Sequence, residues 1–318
     1  MGKELARPIY ARRPSKPQSE DNLLEEQIQR AVQITRGGQL LDIITLPKPW
    51  RINPFILHGY TFAISIPECI HNALRLSNES FNIWSHLFGV FSVLYLALYH
   101  YPSHPIYARS SSTDNLIIGI YFMAATLCLS CSVFWHTMKC HCNRHFMMNC
   151  ASVDLSGVTI MISAMNVVTQ YTAFYCSPST QRLYLTLTCL TATASLLIGW
   201  SPKIRHPDLA WVRVIAFTLL GVVGLLPMAH LGIVRGWGWA WTFYRSVWGR
   251  VVAPIFSGAW IYAGKVPERW YPGKFDFLGH SHNVWHLAVL MTILGCYGVG
   301  LELLGMARMG GRCGIIGV

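Results

Sequence analysis

Apolar and polar residues are segregated along this chain into long blocks. Stretches free of Asp, Glu, Lys and Arg run 80–108, 115–138, 155–181, 183–202, 214–234, 251–264 and 277–301. A helix crossing a hydrocarbon core of roughly 30 Å needs about 20 residues, so all but the sixth stretch predict a membrane span on length alone. The sixth can be lengthened only by taking in Arg250 or Lys265, whose long side chains can snorkel to the interface. The aromatic residues ahead of it, Trp237, Trp239, Trp241, Phe243, Tyr244 and Trp248, suit an interfacial belt, so 235–250 reads as an anchoring loop. The expectation is an all-α, polytopic membrane protein with seven spans. Its parts are an N-terminal region 1–79, a seven-helix transmembrane domain 80–304 and a short C-terminal tail 305–318.

Ahead of the first block, Glu20 to Thr35 carries Leu23, Leu24, Ile28 and Val32 at helical spacing. This predicts either a surface helix lying against the membrane or the bundle, or a loosely ordered tail helix. Arg12 to Pro17 reads as disordered, and Leu46-Pro-Lys-Pro-Trp50 breaks regularity. No apolar run of seven or more follows the basic start, so the first span is expected to act as the insertion signal.

Composition agrees with the pattern: 318 residues, 53% hydrophobic and 12% charged, leave too little polar surface for an ordinary soluble domain. No nucleic-acid partner is expected. Ten cysteines in so large and apolar a chain do not suggest a disulfide scaffold. Cys128, Cys131, Cys140, His141 and Cys142 permit a zinc-knuckle reading, but the spacing is not a paired CxxC and intramembrane Cys is more often a small buried hydrophobe.

Polar residues that open or close the apolar blocks are the candidates for chemistry. His282 and His286, four apart at the start of the last block, share a helix face within reach of one metal ion. Glu79, Asn82 and His86 form one stripe at the start of the first, which fits an inward-facing hydrogen-bond network or, for Glu79, a solvated helix start capped by Ser77 or Asn78. Ser132 and His136 share a face at the end of the second block. Asp154 opens the third, either as a functional carboxylate or as an acid favoured by the helix dipole. His230, near Pro227, reads as a packed or hydrogen-bonded residue.

In a serpentine chain the beginnings of odd spans and the ends of even ones share a membrane face. Glu79 to His86, His136, Asp154 and His282 to His286 then lie together, provided that the sixth span exists. The Lys and Arg of the two sets of loops nearly balance, and those preceding the first span tip the clustered face toward the cytoplasm. His136, His282 and His286 would leave an open position on zinc, which can polarise a carbonyl and lower the pKa of water toward ~7. Asp154 is placed to orient or deprotonate that water, and Ser132 to hydrogen-bond to it or to a ligand. A water-shielded bundle reached from the membrane favours a lipid amide or ester.

Glu79-x-x-Asn82-x-x-x-His86, Ser132-x-x-x-His136 with Asp154 downstream, and His282-x-x-x-His286 after Pro272-Gly-Lys-Phe-Asp276 resemble the progestin and adipoQ receptor, or hemolysin-III-like, superfamily from about Leu46 to Glu302. The resemblance implies a seven-helix bundle with a cytoplasmic N-terminus. It implies zinc on His136, His282 and His286, with Asp154 and Ser132 as catalytic residues and Glu79, Asn82 and His86 as support. The implied function is a receptor-like protein of signalling and lipid or zinc homeostasis, in a plasma membrane or endomembrane. It would carry ceramidase-type amide hydrolysis, with ceramide or sterol lipids and an extracellular protein ligand as partners. A receptor with structural zinc, or a hemolysin-III-type channel, is the alternative. His280 is a departure, an extra histidine able to compete for the metal.

Overall fold

The computed structural model describes residues 20–204 and 209–309. The Arg12 to Pro17 stretch and the glycine-rich end beyond Met309 lie outside the described residues. Among those described, all regular elements are helical, and β pairing is confined to isolated bridges such as Leu41 with Tyr60 and Ala63 with His141.

The principal helices are α1 (Glu20–Arg36), α2 (Ile66–Ala73), α3 (Ser80–Tyr95), α4 (Ser112–Met138), α5 (Arg144–Ala173), α6 (Pro178–Trp200), α7 (Ala210–Arg235), α8 (Trp237–Val247), α9 (Ala253–Gly264) and α10 (Ser281–Met309). Among the described residues, six stretches are long and apolar enough to cross a membrane: Ser80–Ser103, Ser112–Met138, Arg144–Ala173, Pro178–Trp200, Trp211–Arg235 and Ser281–Arg308. Their outward faces carry large apolar residues such as Phe88, Phe91, Leu127 and Leu190, which are exposed in the isolated chain. A water-soluble domain would bury such a surface.

The expected anchoring loop 235–250 is not a loop. Trp237–Val247 is helical, continues through a π-helical turn at Trp248–Val252 and runs into α9 without leaving helical backbone. Sequence reading stopped at Arg250 because a charge counted as an end. Arg250 instead lies 3.4 Å from the Glu302 carboxylate, so its charge is paired along α10.

Proline accounts for both π turns and for one inter-helix tie. Pro254 has no N–H to offer the Arg250 carbonyl, and the chain compensates with a wider turn closed by Ala253 N–H to Trp248 O. Pro102 follows a similar turn, Leu96–His100, closed by Tyr101 N–H to Leu96 O. Pro227, inside α7, frees the Val223 carbonyl, and Gln170 on α5 donates to it at 3.2 Å while accepting from Thr188 on α6 at 3.0 Å. Neighbouring helices can satisfy backbone where no water reaches.

Helix α10 is the hub, packing on α3, α5, α8 and α9. The core around it includes Tyr121, Phe122, Leu129, Met161 and Ile293. At Gly295 a Cβ would stand 2.4 Å from the Arg250 carbonyl oxygen, so only hydrogen fits where α10 meets the π turn. Gly295→Val is therefore expected to destabilise the protein by roughly 1–3 kcal/mol of overpacking, read as a lowered melting temperature in detergent. An unchanged melting temperature would mean that the two helices separate at no cost.

The surface-helix expectation for Glu20 to Thr35 holds as α1, with packing against the bundle side. Ala31 and Val32 are buried with Leu41, Leu46, Trp50, Phe62 and Met147, the last from α5.

Candidate metal centre

Three imidazoles from two helices converge where α4 ends and α10 begins. Their spacing of four puts His282 and His286 on one stripe of α10, and the antiparallel course of α4 brings His136 opposite them. His136 Nε2 lies 3.0 Å from His286 Nε2 and 3.3 Å from His282 Nε2. His136 and His286 are buried. Among the described residues, these three form the only group of His, Cys, Asp or Glu donors all within 4.8 Å of one another.

Three ring nitrogens cannot satisfy one another at such distances, since each offers either a lone pair or one proton in the neutral state. A tetrahedral zinc with bonds of 2.0–2.1 Å sets its ligand atoms ~3.3 Å apart, close to the observed separations. The donor set therefore fits a metal cation with one position left open.

Glu79 holds the His136 ring in place. Its Oε2 accepts from His136 Nδ1 at 2.7 Å, which leaves Nε2 free to face the other rings. Its other oxygen pairs with the Lys139 ammonium. Burial opposes ionisation of Glu79, but Lys139 and His136 outweigh that and hold its carboxyl well below the usual carboxylate range. Asn82 donates to the same carboxylate at 2.9 Å and accepts from Asn283 at 2.7 Å, tying α3 to α10. Of the two readings of this stripe, the inward network is the one observed. His86 stacks on His286 with ring centroids 3.9 Å apart and meets the His286 carbonyl at 3.3 Å.

Ser132 is buried one turn before His136 on α4. Asp154, in α5, lies within electrostatic reach of His136 and Tyr262 and stands outside the group of three. Two further residues escaped sequence reading. Tyr262 on α9 brings its ring to 4.9 Å from His282. Fully buried Glu268 accepts from Ser281 N–H at 2.7 Å and from Asn53 at 3.1 Å, and so fixes the start of α10. Asp276 does similar work by accepting the N–H groups of Leu57 and His58 at 3.0 and 2.9 Å. Nothing in local spacing distinguishes Glu268 or Tyr262, because their partners lie on other elements. His230 behaves as expected, bonded to the Tyr184 hydroxyl at 3.1 Å.

His280 is not part of the convergent group. It is 5% exposed and sits against the Asn78 backbone. The thiols Cys69, Cys128, Cys131, Cys140, Cys142 and Cys150 are free and join no group of three metal donors among the described residues. That disposes of the knuckle reading there.

Comparison with known proteins bears on the whole helical bundle. The model of the family described as haemolysin-III related matches residues 74–297. The adiponectin receptor protein of Drosophila melanogaster is 30% identical over 269 residues, covering 83% of this chain and 59% of that protein. The ADIPOR-like receptor IZH3 of Saccharomyces cerevisiae is 31% identical over 236 residues, 73% of this chain and 44% of its own length. Progestin and adipoQ receptor family member 3 of Homo sapiens is 32% identical over 269 residues, 82% of this chain and 85% of that protein. The chain thus spans less than two thirds of the first two. With the matched region running through the apolar helices and all three converging histidines, the chain belongs to the haemolysin-III-related, progestin and adipoQ receptor superfamily and is a multi-pass helical membrane protein.

Proposed function

We propose that this protein is a seven-span, receptor-like zinc protein with intrinsic amide hydrolase activity on ceramide-type lipids, serving lipid and zinc homeostasis. The seventh span of this reading is the helical course Trp237–Gly264 taken as one element. The observation that carries the zinc assignment is that His136 Nε2 lies 3.0 Å from His286 Nε2 and 3.3 Å from His282 Nε2, with His136 Nδ1 bound by Glu79.

Zinc bound there would polarise a carbonyl and lower the pKa of water toward ~7. The residues of the chain supply the rest. Glu79 keeps the His136 tautomer fixed, and Lys139 keeps Glu79 ionised. Asp154 orients the attacking water and takes its proton, later returning it to the leaving amine. Ser132 hydrogen-bonds beside His136. Helices α3, α4, α9 and α10 exclude bulk water around the site, which strengthens each of these interactions. An amide within a lipid suits a site enclosed by membrane-embedded helices.

The Lys and Arg residues ahead of the first span favour a cytoplasmic location for the site. The relatives named as receptors favour a second role, signalling in response to an extracellular protein ligand.

Asp154→Asn is expected to leave zinc content intact while lowering ceramide turnover by at least ~100-fold, the scale of losing a general base. Product release would be followed by mass spectrometry on purified protein in lipid nanodiscs. Turnover equal to wild type would remove the catalytic role of Asp154 and favour zinc as a purely structural group. Ion conductance in liposomes, insensitive to His282→Ala, would instead favour the channel reading.

A further inference from the structure

Two thiols near the metal centre are brought together by parts of the chain that the hydrolytic reading leaves unused. Cys140 lies just past α4, where Ala63 N–H donates to its carbonyl at 2.9 Å and Cys142 N–H donates to the Ala63 carbonyl at 2.8 Å. That pairing holds the turn after α4 against the stretch that leads into α2. Ser65 caps α2, and Cys69 sits on its inner face with Asn72. Cys69 is 0% exposed and packs with Ala63, Met138 and Cys150, whereas Cys140 is half-buried.

The two side chains are hydrogen-bonded to each other, and the Thr61 and Asn72 side chains also bond to the Cys140 sulfur. As a thiol, Cys140 can in addition donate to the Thr137 carbonyl, at 3.6 Å. The bond from Cys69, with those from Thr61 and Asn72, outweighs burial and holds the Cys140 thiol below its usual range. The same bond, together with burial, pushes Cys69 up, and burial pushes Cys142 up. Of these three thiols Cys140 therefore ionises first. Cys69 and Cys140 also border one cavity of about 10 Å³, the room of a single water molecule, whose walls include Glu79 and His136. An easily ionised, partly exposed thiol with a second thiol against it suits the formation and resolution of a sulfenic acid.

We propose that Cys69 and Cys140 are a peroxide-oxidisable pair, with Cys140 the attacking thiol and Cys69 the resolving one. The Cys140 sulfur attacks one peroxide oxygen, the O–O bond breaks, and the displaced hydroxide takes up the proton that Cys140 has released, giving water and a sulfenic acid. Cys69 then attacks that sulfur; the S–O bond breaks, and hydroxide leaves with the Cys69 proton as a second water. In all, two thiols are oxidised by two electrons and one peroxide is reduced to two waters. The product ties α2, just ahead of Glu79, to the chain just behind His136. No metal enters the step, so its outcome is independent of the zinc reading.

The test uses the full-length protein in detergent, reduced, freed of reductant and exposed to hydrogen peroxide, followed by alkylation, proteolysis and mass spectrometry under non-reducing conditions. The wild type is expected to give a peptide in which Cys69 is joined to Cys140, lost on treatment with dithiothreitol, and Cys142→Ser is expected to give the same link. In Cys69→Ser, which cannot resolve the sulfenic acid, Cys140 is expected to gain a dimedone adduct roughly tenfold faster than Cys142. Absence of the link in the wild type, linkage of either thiol to a different cysteine instead, or labelling of Cys142 as fast as Cys140 overturns the proposal. Should Cys69→Ser fail to fold, timed alkylation of the wild type takes its place: Cys69 and Cys140 are expected to be lost together and ahead of Cys142, and any other order has the same overturning force.

Discussion

His136→Ala protein is expected to be purified with almost no zinc and to show no measurable ceramide turnover. This ring is the only one of the three supplied by α4, and its Nε2 is the atom that both α10 nitrogens face, at 3.0 and 3.3 Å. Without it two histidines on one helix remain, a pair that leaves half of a tetrahedral shell unfilled. The loss of affinity should exceed ~100-fold, because removal of an outer hydrogen-bond partner alone costs 10–100-fold. Zinc per polypeptide by plasma mass spectrometry, after dialysis against a weak chelator, gives the answer directly. Unchanged zinc in this variant would end the three-histidine assignment. His282→Ala should behave alike.

Glu79→Gln should carry the next largest effect, an affinity loss of about 10–100-fold with the protein still folded. The carboxylate does two jobs at once, accepting from His136 Nδ1 at 2.7 Å and neutralising Lys139. A glutamine can still accept from Nδ1 through its carbonyl, but it leaves the Lys139 ammonium unneutralised close to the incoming cation. Glu79→Ala should therefore be worse than Gln, and Glu79→Gln combined with Lys139→Met should recover part of the loss. Competitive titration against a chromogenic chelator resolves the series. Equal affinity in Gln and wild type would show that the Lys139 charge costs the incoming cation nothing, and equal affinity in Ala that the His136 tautomer is set by something other than this carboxylate.

Much of this centre was open to reading along the chain, for definite reasons. Apolar block length follows from the thickness of a bilayer, so six spans are legible without any tertiary knowledge. The pairs His282 with His286 and Ser132 with His136 are legible because a helix brings positions four apart to one face. The Glu79, Asn82 and His86 stripe follows from the same geometry.

The misreading of 235–250 has an equally specific cause. Arg250 looked like the end of a span because its counter-charge, Glu302, is 52 positions away in sequence and its partnership exists only once α8 to α10 have packed. Proline by itself does not say whether a helix ends or, as at Pro254, widens into a π turn; the glycine at 295, which admits the Arg250 carbonyl, makes the widened turn tolerable.

The sequence by itself determined the solvent of this protein, the number of apolar blocks and which histidines share a helix face, because these depend on side-chain chemistry and helical repeat. Only the tertiary structure decided which nitrogen of each histidine faces the centre, that Glu79 rather than water holds His136, that Glu268 pins the start of α10 and that His280 stands apart. Those outcomes depend on contacts between helices tens to hundreds of residues apart, and no local period in the chain encodes them.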